Sequence, residues 1–140
     1  ESEYTICGGG DAGAHVATIC DASYPTFMVP FWSRDRTRGK LLNLEHLVSK
    51  QTLKTARTYG LNDRGALLKG MRADINIIDY DKISLTKPSL SYDLPAGGKR
   101  LIQKSNGYDH TFVKGIEVSH NGEFTGELPG KLIRGNQAIN

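Results

Sequence analysis

Apolar residues at helical spacing predict one long helix in the first half of the chain, over residues 44–59. Asn43 precedes it as the predicted N-cap. Gly60 is its predicted end, because glycine readily adopts the left-handed conformation that terminates helices. The apolar face of this helix has four members: Leu44, Leu47, Val48 and Ala56. Residues 4–7 are a short β-favouring run that stops at three glycines, which predicts the end of a strand.

Beyond residue 70 the pattern changes to short strands. Residues 73–80 contain three isoleucines in a β-favouring run and predict a strand. A shorter strand is predicted over residues 99–104 and a longer one over residues 111–120. Asn121 and Gly122 predict a tight hairpin, because both central positions of such a turn need positive φ.

Two stretches show no clean period and are predicted to be irregular. Residues 11–38 are predicted to form a long functional loop with room for a helical turn, and the segment from Pro88 to Pro95 an irregular connection. One strand and one helix cannot close a hydrophobic core, so residues 1–70 are predicted to be a piece of a larger unit and residues 71–140 a group of strands. The fold class expected for the chain alone is mixed α+β.

The composition is that of an ordinary globular protein, with 38% hydrophobic and 24% charged residues. A net charge of +3 is too small to indicate a nucleic-acid-binding protein. No apolar run approaches the roughly 18 residues that span a membrane, and the first residues lack a signal-peptide pattern. Cys7 and Cys20 are too few for a disulfide framework and favour free thiols. We therefore expect a cytoplasmic protein that binds neither nucleic acid nor membrane.

Asp11 is the strongest candidate for a catalytic residue. It follows the predicted strand directly and is surrounded by glycines, which let a ligand approach the backbone closely. An aspartate in a turn or at a helix cap is the structural alternative. The same stretch, residues 8–13, matches the spacing G-x-G-x-x-G, but no helix or βαβ unit follows, so a dinucleotide site is not expected.

The four histidines are too scattered in sequence to predict a complete metal site. A tetrahedral zinc site needs three or four ligands, usually with two of them close in sequence, and no such pair of histidines or cysteines occurs here. His15, near Asp11, is the one histidine with a predicted functional role. His46, on the predicted helix, and His120, beside the hairpin, are interpreted as surface residues.

A cluster of aromatic residues precedes two arginines. The cluster predicts either an apolar substrate pocket or ordinary core packing, and its members are Tyr24, Phe27, Met28, Phe31 and Trp32. Arg34 and Arg36 can each bind a substrate carboxylate through two hydrogen bonds. A solvated loop explains the arginines as well.

Several sequence strings resemble the N-acyl-D-amino-acid deacylases of the amidohydrolase superfamily. Residues 10–27, which contain Gly-Asp-Ala-Gly-Ala-His-Val, and residues 32–36 are similar to the segment after the last barrel strand of those enzymes. Residues 60–79 resemble the exit from the barrel that amidohydrolases share. The string Tyr-Asp-Leu-Pro-Ala-Gly-Gly-Lys-Arg-Leu at residues 92–101 is typical of the D-acylamino-acid branch, as are residues 125–135.

This resemblance implies a (β/α)₈ barrel with a β-sandwich built from both chain ends. Residues 1–70 would supply the last barrel strand, loop and helix, and residues 71–140 part of the sandwich. The family holds zinc at the C-terminal mouth of the barrel, where an aspartate after the eighth strand completes the site. Asp11 matches that aspartate and would be a metal ligand or the group that carries a proton from metal-bound water to the leaving amine. His15, Arg34 and Arg36 are the candidates for substrate binding.

The resemblance also implies what this chain lacks. None of His15, His46, His110 and His120 matches the family's metal histidines, which lie upstream of the segments that resemble this chain. We therefore expect the C-terminal segment of a zinc-dependent hydrolase that cleaves N-acyl-D-amino acids, inactive as an isolated chain. Its expected partners are the missing N-terminal barrel portion, or another copy of the chain, and a small-molecule substrate. The alternatives are a non-catalytic β domain for assembly, or another amidohydrolase reaction such as cyclic-imide or dipeptide hydrolysis.

Overall fold

The α-helices in the described part of the chain all precede the strands, and one short 3₁₀ turn, Pro95–Gly97, lies among the strands. The computed structural model describes residues 2–11, 13 and 15–138. A 3₁₀ turn, three α-helices and a π-helical turn occupy the first half: 3₁₀ Asp21–Ser23, α1 Tyr24–Pro30, π Phe31–Asp35, α2 Leu44–Gln51 and α3 Leu53–Thr58. None of the helices in the described ranges is long and apolar enough to cross a membrane.

Eight short strands follow, all paired in antiparallel fashion: β1 Ile75–Ile78, β2 Ser84–Leu85, β3 Ser89–Leu94, β4 Gly98–Ile102, β5 Ser105–Asn106, β6 Tyr108–Val113, β7 Ile116–His120 and β8 Glu123–Phe124. Four of them form one sheet in the order β1-β6-β7-β8, and the others form the pairs β2-β5 and β3-β4. The mixture of helix and antiparallel sheet confirms the α+β class expected for the chain alone.

The predicted helix over residues 44–59 exists but is broken in the middle. Its N-cap is confirmed, because the Asn43 side chain accepts a hydrogen bond of 3.1 Å from the backbone N–H of Glu45. Gly60 ends it with φ of +71°. The break lies at Thr52, which has φ −121° and ψ −93°. The Thr52 hydroxyl donates to the Val48 carbonyl at 2.7 Å, a side-chain bond that competes with the backbone ladder and bends helices.

The prediction of a loop over residues 11–38 is wrong for its second half. Pro25 lies in the first turn of α1, where its fixed φ favours helix and its missing N–H costs no hydrogen bond. Phe27 and Phe31 stack one turn apart, with ring centroids 4.7 Å from one another. Pro30 then interrupts the α-helical hydrogen bonds, and the chain continues as the π-helical turn, closed by the Arg36 N–H on the Phe31 carbonyl at 2.9 Å.

The strand predicted over residues 4–7 is absent from the structure. A strand needs a neighbouring strand to satisfy its backbone, and none lies beside this segment within the described ranges. Lys50 satisfies part of this backbone instead of a strand. Its buried Nζ donates hydrogen bonds to the carbonyls of Ser2, at 2.7 Å, and Thr5, at 2.9 Å.

The strand predictions for the second half are confirmed in part. β1 lies within the strand predicted over residues 73–80, and β4 overlaps the one predicted over residues 99–104. Asn121 and Gly122 form the predicted turn with φ of +50° and +81°. The single strand predicted over residues 111–120 is wrong, because Lys114 and Gly115, with φ of +55° and +75°, fold it into the β6–β7 hairpin. The segment predicted to be irregular before Pro95 contains β3, which pairs with β4.

The two halves meet at a small interface with few buried apolar residues. Ile83 in the β half is fully buried, and Leu47 in the helical half is 2% exposed. Thr26 of α1 and Tyr108 of β6 share a hydrogen bond of 2.9 Å between their hydroxyl oxygens. Many large apolar side chains remain exposed, among them Phe27, Tyr59, Leu90, Tyr92, Phe124, Leu128 and Leu132.

Candidate functional site

The loop that carries Asp11 and His15 adopts an unusual backbone conformation. Both residues have positive φ, 32° for Asp11 and 52° for His15, and both side chains are exposed. Aspartate and histidine tolerate this left-handed region better than most residues that have a Cβ. The His15 carbonyl accepts hydrogen bonds from the backbone N–H groups of Thr18 and Ile19, at 2.8 and 3.0 Å, which closes a turn after it. The loop therefore presents a carboxylate and an imidazole outward.

A cleft of about 390 Å³ opens beside this loop. Gly8 and Gly9 line one side, and Tyr24 and Phe27 of α1 line another. A Cβ at position 10 would lie 3.2 Å from the Tyr24 ring, so a larger residue there would require the ring to shift slightly. The Asp11 side chain is not among the groups that line this cleft.

A second cleft, of about 360 Å³, lies where the residues after His15 meet β4. The Val16 carbonyl accepts a hydrogen bond of 2.7 Å from the backbone N–H of Leu101. The Ser23 hydroxyl donates to the side-chain carbonyl oxygen of Gln103. The two sequence strings that carried the family resemblance, residues 10–27 and 92–101, are therefore in direct contact.

Arg34 is committed to structural hydrogen bonds. Its Nε and Nη2 donate to the carboxylate of Asp35 at 2.6 and 3.1 Å. Its remaining three N–H groups donate to the backbone carbonyls of Tyr80, Asp81 and Ile83. The hydrogen bonds that Arg34 donates to Asp35 raise the pKa of Arg34 above its ordinary value and lower the pKa of Asp35. All five guanidinium donors are thus used, and the three that bond to backbone carbonyls join the helical half to the β half.

Arg36 has a different environment. Its guanidinium lies over the Trp32 ring, 4.5 Å from the centroid, and donates one hydrogen bond of 3.1 Å to the Lys40 carbonyl. It borders a cleft of about 530 Å³ together with Cys7 and His46. Members of the aromatic cluster have two roles. Phe31 packs against the rings of Phe27 and Trp32, and Trp32 also lines this cleft.

The four residues selected from the sequence do not form one site within the described part of the chain. No hydrogen bond or ion pair there joins Asp11 or His15 to either arginine. A zinc site of the kind that the resemblance implies needs three or four ligands. The described residues bring no third ligand to Asp11 and His15, so these residues alone do not fit the ion.

Three residues far from this loop do come together, although no two histidines are close in sequence. His120 is exposed, as expected of a surface residue. His110 on β6 and His120 on β7 are register partners, and Glu117 lies between them. One carboxylate oxygen of Glu117 is 2.7 Å from Nδ1 of His110 and 3.0 Å from Nδ1 of His120. These hydrogen bonds hold the pKa of Glu117 below its usual value. A regular hairpin at Lys114 would pair His110 with Ser119, so the pair with His120 depends also on the register shift between Thr111 and Phe112.

Sequence comparisons extend these observations. The amidohydrolase family model matches residues 2–118. The chain is 32% identical over 101 residues, 72% of its length, to an N-acyl-D-glutamate deacylase of Alcaligenes xylosoxydans xylosoxydans. It is 35% identical over 101 residues, 71% of its length, to an N-acyl-D-aspartate deacylase of the same organism. The matches span 19% and 18% of the length of those relatives. No solved structure matches the chain significantly.

Proposed function

Because the chain belongs to the amidohydrolase family, we propose that it is the C-terminal segment of a zinc-dependent hydrolase that cleaves the amide bond of N-acyl-D-amino acids. The products are a carboxylate and a free D-amino acid. The observation that carries the proposal is the identity of 32% and 35% to two relatives named for N-acyl-D-glutamate and N-acyl-D-aspartate. The contact between residues 10–27 and residues 92–101 supports it, because both strings resemble deacylases.

In this proposal residues 1–70 complete a (β/α)₈ barrel and residues 71–140 form part of a β-sandwich. The order of elements supports this division, with all described α-helices before residue 60 and all described strands after residue 74. Exposed apolar side chains such as Phe27 and Leu90 support it as well, since a partner segment would cover them. That partner is the N-terminal barrel portion, or alternatively a second copy of the chain.

Asp11 is the proposed acid–base residue. It would take a proton from the attacking water and return it to the leaving amine. Its exposed carboxylate on a glycine-rich loop supports this role, because the protein leaves room on that side for substrate and for the groups that complete the site. The zinc ion of the proposal would polarise the amide carbonyl, and its ligands would come from outside these 140 residues.

The substrate side chain is proposed to be acidic, as in the names of the two relatives. Arg36 is the better candidate to bind a carboxylate, because a single hydrogen bond to Lys40 and the Trp32 ring hold it at the edge of a cleft. Arg34 would have to give up hydrogen bonds to three backbone carbonyls before it could contact a substrate. His15 is the proposed second contact, from the exposed loop.

The test is a substrate panel on the whole protein that contains this chain. The panel holds N-acetyl-D-glutamate, N-acetyl-D-aspartate, their L isomers, a cyclic imide and a dipeptide, and released amine or carboxylate is measured. We expect hydrolysis of the D-acyl compounds and none by the isolated 140-residue chain. Turnover of only the imide or the dipeptide would assign a different amidohydrolase reaction, and no turnover of any compound would favour a non-catalytic role.

A further inference from the structure

We propose that His110, Glu117 and His120 form a binding site for a divalent zinc-class ion on the β6–β7 hairpin. Within the described residues, this is the one group of three histidine, cysteine or acidic side chains whose ligand atoms converge. One potential ligand atom of each residue lies within 4.8 Å of the other two. Nothing in the family resemblance assigns a metal to this hairpin.

The hairpin backbone creates this convergence. His110 and His120 are directly opposite each other on antiparallel strands, with ring centroids 4.6 Å apart. A register shift between Thr111 and Phe112 alters the pairing, so that Phe112 faces Glu117 while His110 still faces His120. Glu117 therefore reaches both rings with the same carboxylate oxygen. Strand pairing fixes the three backbone positions, so an ion would meet a preformed arrangement and would have to order little chain.

The distances suit an ion with short bonds. Four ligands at about 2.0 Å from zinc in a tetrahedron lie about 3.3 Å from one another. The Glu117 oxygen already lies 2.7 and 3.0 Å from the two Nδ1 atoms, and the ligand atoms of the group all lie within 4.8 Å of one another, at most about 1.5 Å beyond that spacing. The Nδ1 atoms of His110 and His120 already face the same oxygen of Glu117. Side-chain rotation alone can therefore close the site.

The donor set indicates which ions fit. Two imidazoles and one carboxylate suit Zn²⁺, Co²⁺, Ni²⁺ and Cu²⁺, whereas Mg²⁺ and Ca²⁺ prefer oxygen ligands throughout. The three side chains are 34%, 34% and 55% exposed for His110, Glu117 and His120. Water can therefore occupy the fourth position. Without metal, each Nδ1–H donates to the Glu117 carboxylate. Binding through Nδ1 would move that proton to Nε2 through solvent, so each imidazole would bind in its neutral form.

Bound metal would join β6 to β7 through side chains in addition to the backbone ladder. An ion that binds the folded chain and not the unfolded one raises the melting temperature with its concentration. A surface His–Glu–His hydrogen-bond cluster without metal affinity would show no such dependence. This difference makes the proposal testable on the 140-residue chain with zinc itself as the probe.

The experiment titrates metal-free chain with Zn²⁺ by calorimetry, alongside four variants. We expect one ion per chain and at least a tenfold loss of affinity in His110→Ala and in His120→Ala. The matched control is His46→Ala, which removes an imidazole from α2 and should bind as the parent chain does. Glu117→Gln keeps the side-chain size and should weaken binding, because an amide oxygen is a poorer zinc ligand than a carboxylate.

Imidazole ¹⁵N NMR makes the test independent of whether a variant folds well. In the parent chain, Zn²⁺ should shift the Nδ1 signals of His110 and His120 and leave those of His15 and His46 in place. Shifts at His46 instead, equal affinity in parent and His110→Ala chains, or no binding at micromolar Zn²⁺ would each overturn the proposal. Loss of binding in His46→Ala would overturn it as well, because the ion would then lie elsewhere.

Discussion

Different interactions hold the residues of the two halves in place: the N-terminal half, residues 2–60, and the β half, residues 75–124. The β half is built from antiparallel strand pairs, of neighbouring strands such as β6 and β7 and of distant strands such as β1 and β6, that satisfy one another's backbone groups. The N-terminal half depends on a few long-range side-chain bonds, chiefly those of Lys50 and Arg34. The candidate catalytic loop belongs to this half. Its exposed Asp11 is therefore suited to meet groups from outside the chain, whereas the β half serves as a scaffold.

The largest expected effect on stability is at Gly107 in the β half. A Cβ there would lie 2.7 Å from the backbone of Ile83 and 3.0 Å from the Asp79 carbonyl, at φ of +86°. We expect Gly107→Ala to lower the free energy of unfolding by about 3 kcal/mol, because backbone must move to relieve the clash. Gly122→Ala is the control, since its φ is also positive but no atom lies within 4 Å, and should cost about 1 kcal/mol. Equal losses of unfolding free energy in the two variants, measured by urea denaturation, would contradict this expectation.

The second effect tests the contact between the halves. Arg34→Ala leaves the carbonyls of Tyr80, Asp81 and Ile83 without their donor and should lower the free energy of unfolding by about 2 kcal/mol. Arg38→Ala removes an exposed arginine nearby and should change it by less than about 0.5 kcal/mol. If the two variants unfold at the same urea concentration, Arg34 does not join the halves.

A smaller and more local effect is expected at Lys50. Lys50→Met keeps the apolar stem and removes the ammonium that donates to Ser2 and Thr5. We expect a loss of about 1 kcal/mol and faster amide hydrogen exchange across residues 2–7, with strand amides of the β half unchanged. Lys54→Met serves as the control for the loss of one charge. Uniformly faster exchange throughout both halves would show that Lys50 supports the whole fold.

The smallest effect concerns the turn between the halves and depends on pH. Arg64 holds the Asp63 carboxylate through two hydrogen bonds, at 2.8 and 2.9 Å, and lowers its pKa below the ordinary 3.8. The stability that this pair contributes is therefore complete above pH 3.8 and is lost as the pH falls through the lowered pKa. Asp63→Asn should cost less than about 1 kcal/mol at pH 7 and remove that part of the acid dependence. Parallel pH profiles of variant and parent would contradict it.

Local rules were enough to predict several features of this fold. The N-cap at Asn43, the helix end at Gly60 and the turn at Asn121 each depend on residues within a few positions. The local pattern did not predict β3, because this strand is ordered by its pairing with β4. The pattern wrongly predicted a strand at residues 4–7, because no strand in the described ranges pairs with that segment. Pairing partners are a property of the folded chain, which the local pattern does not contain.

In the candidate site, too, local features could be predicted from the sequence and long-range contacts could not. The position of Asp11 in a glycine loop followed from neighbouring residues, and its exposure fits a residue that meets a ligand. The structural hydrogen bonds of Arg34 could not be predicted from the local pattern, because the backbone carbonyls that accept them lie 46 to 49 residues away. The grouping of His110 with His120 was hidden for a related reason, since Lys114 and Gly115 are a weaker hairpin signal than Asn-Gly.

The central claim is that Asp11 transfers protons in amide hydrolysis by the whole protein. The most direct measurement is kcat/KM of the Asp11→Asn protein on N-acetyl-D-glutamate, beside Asp109→Asn on β6 as the matched control. Asn tolerates positive φ as Asp does, so the fold should be unaffected by the change at position 11. We predict a loss of about 10²- to 10⁴-fold for Asp11→Asn and near-parent activity for Asp109→Asn. Near-parent activity of a folded Asp11→Asn protein would contradict the claim.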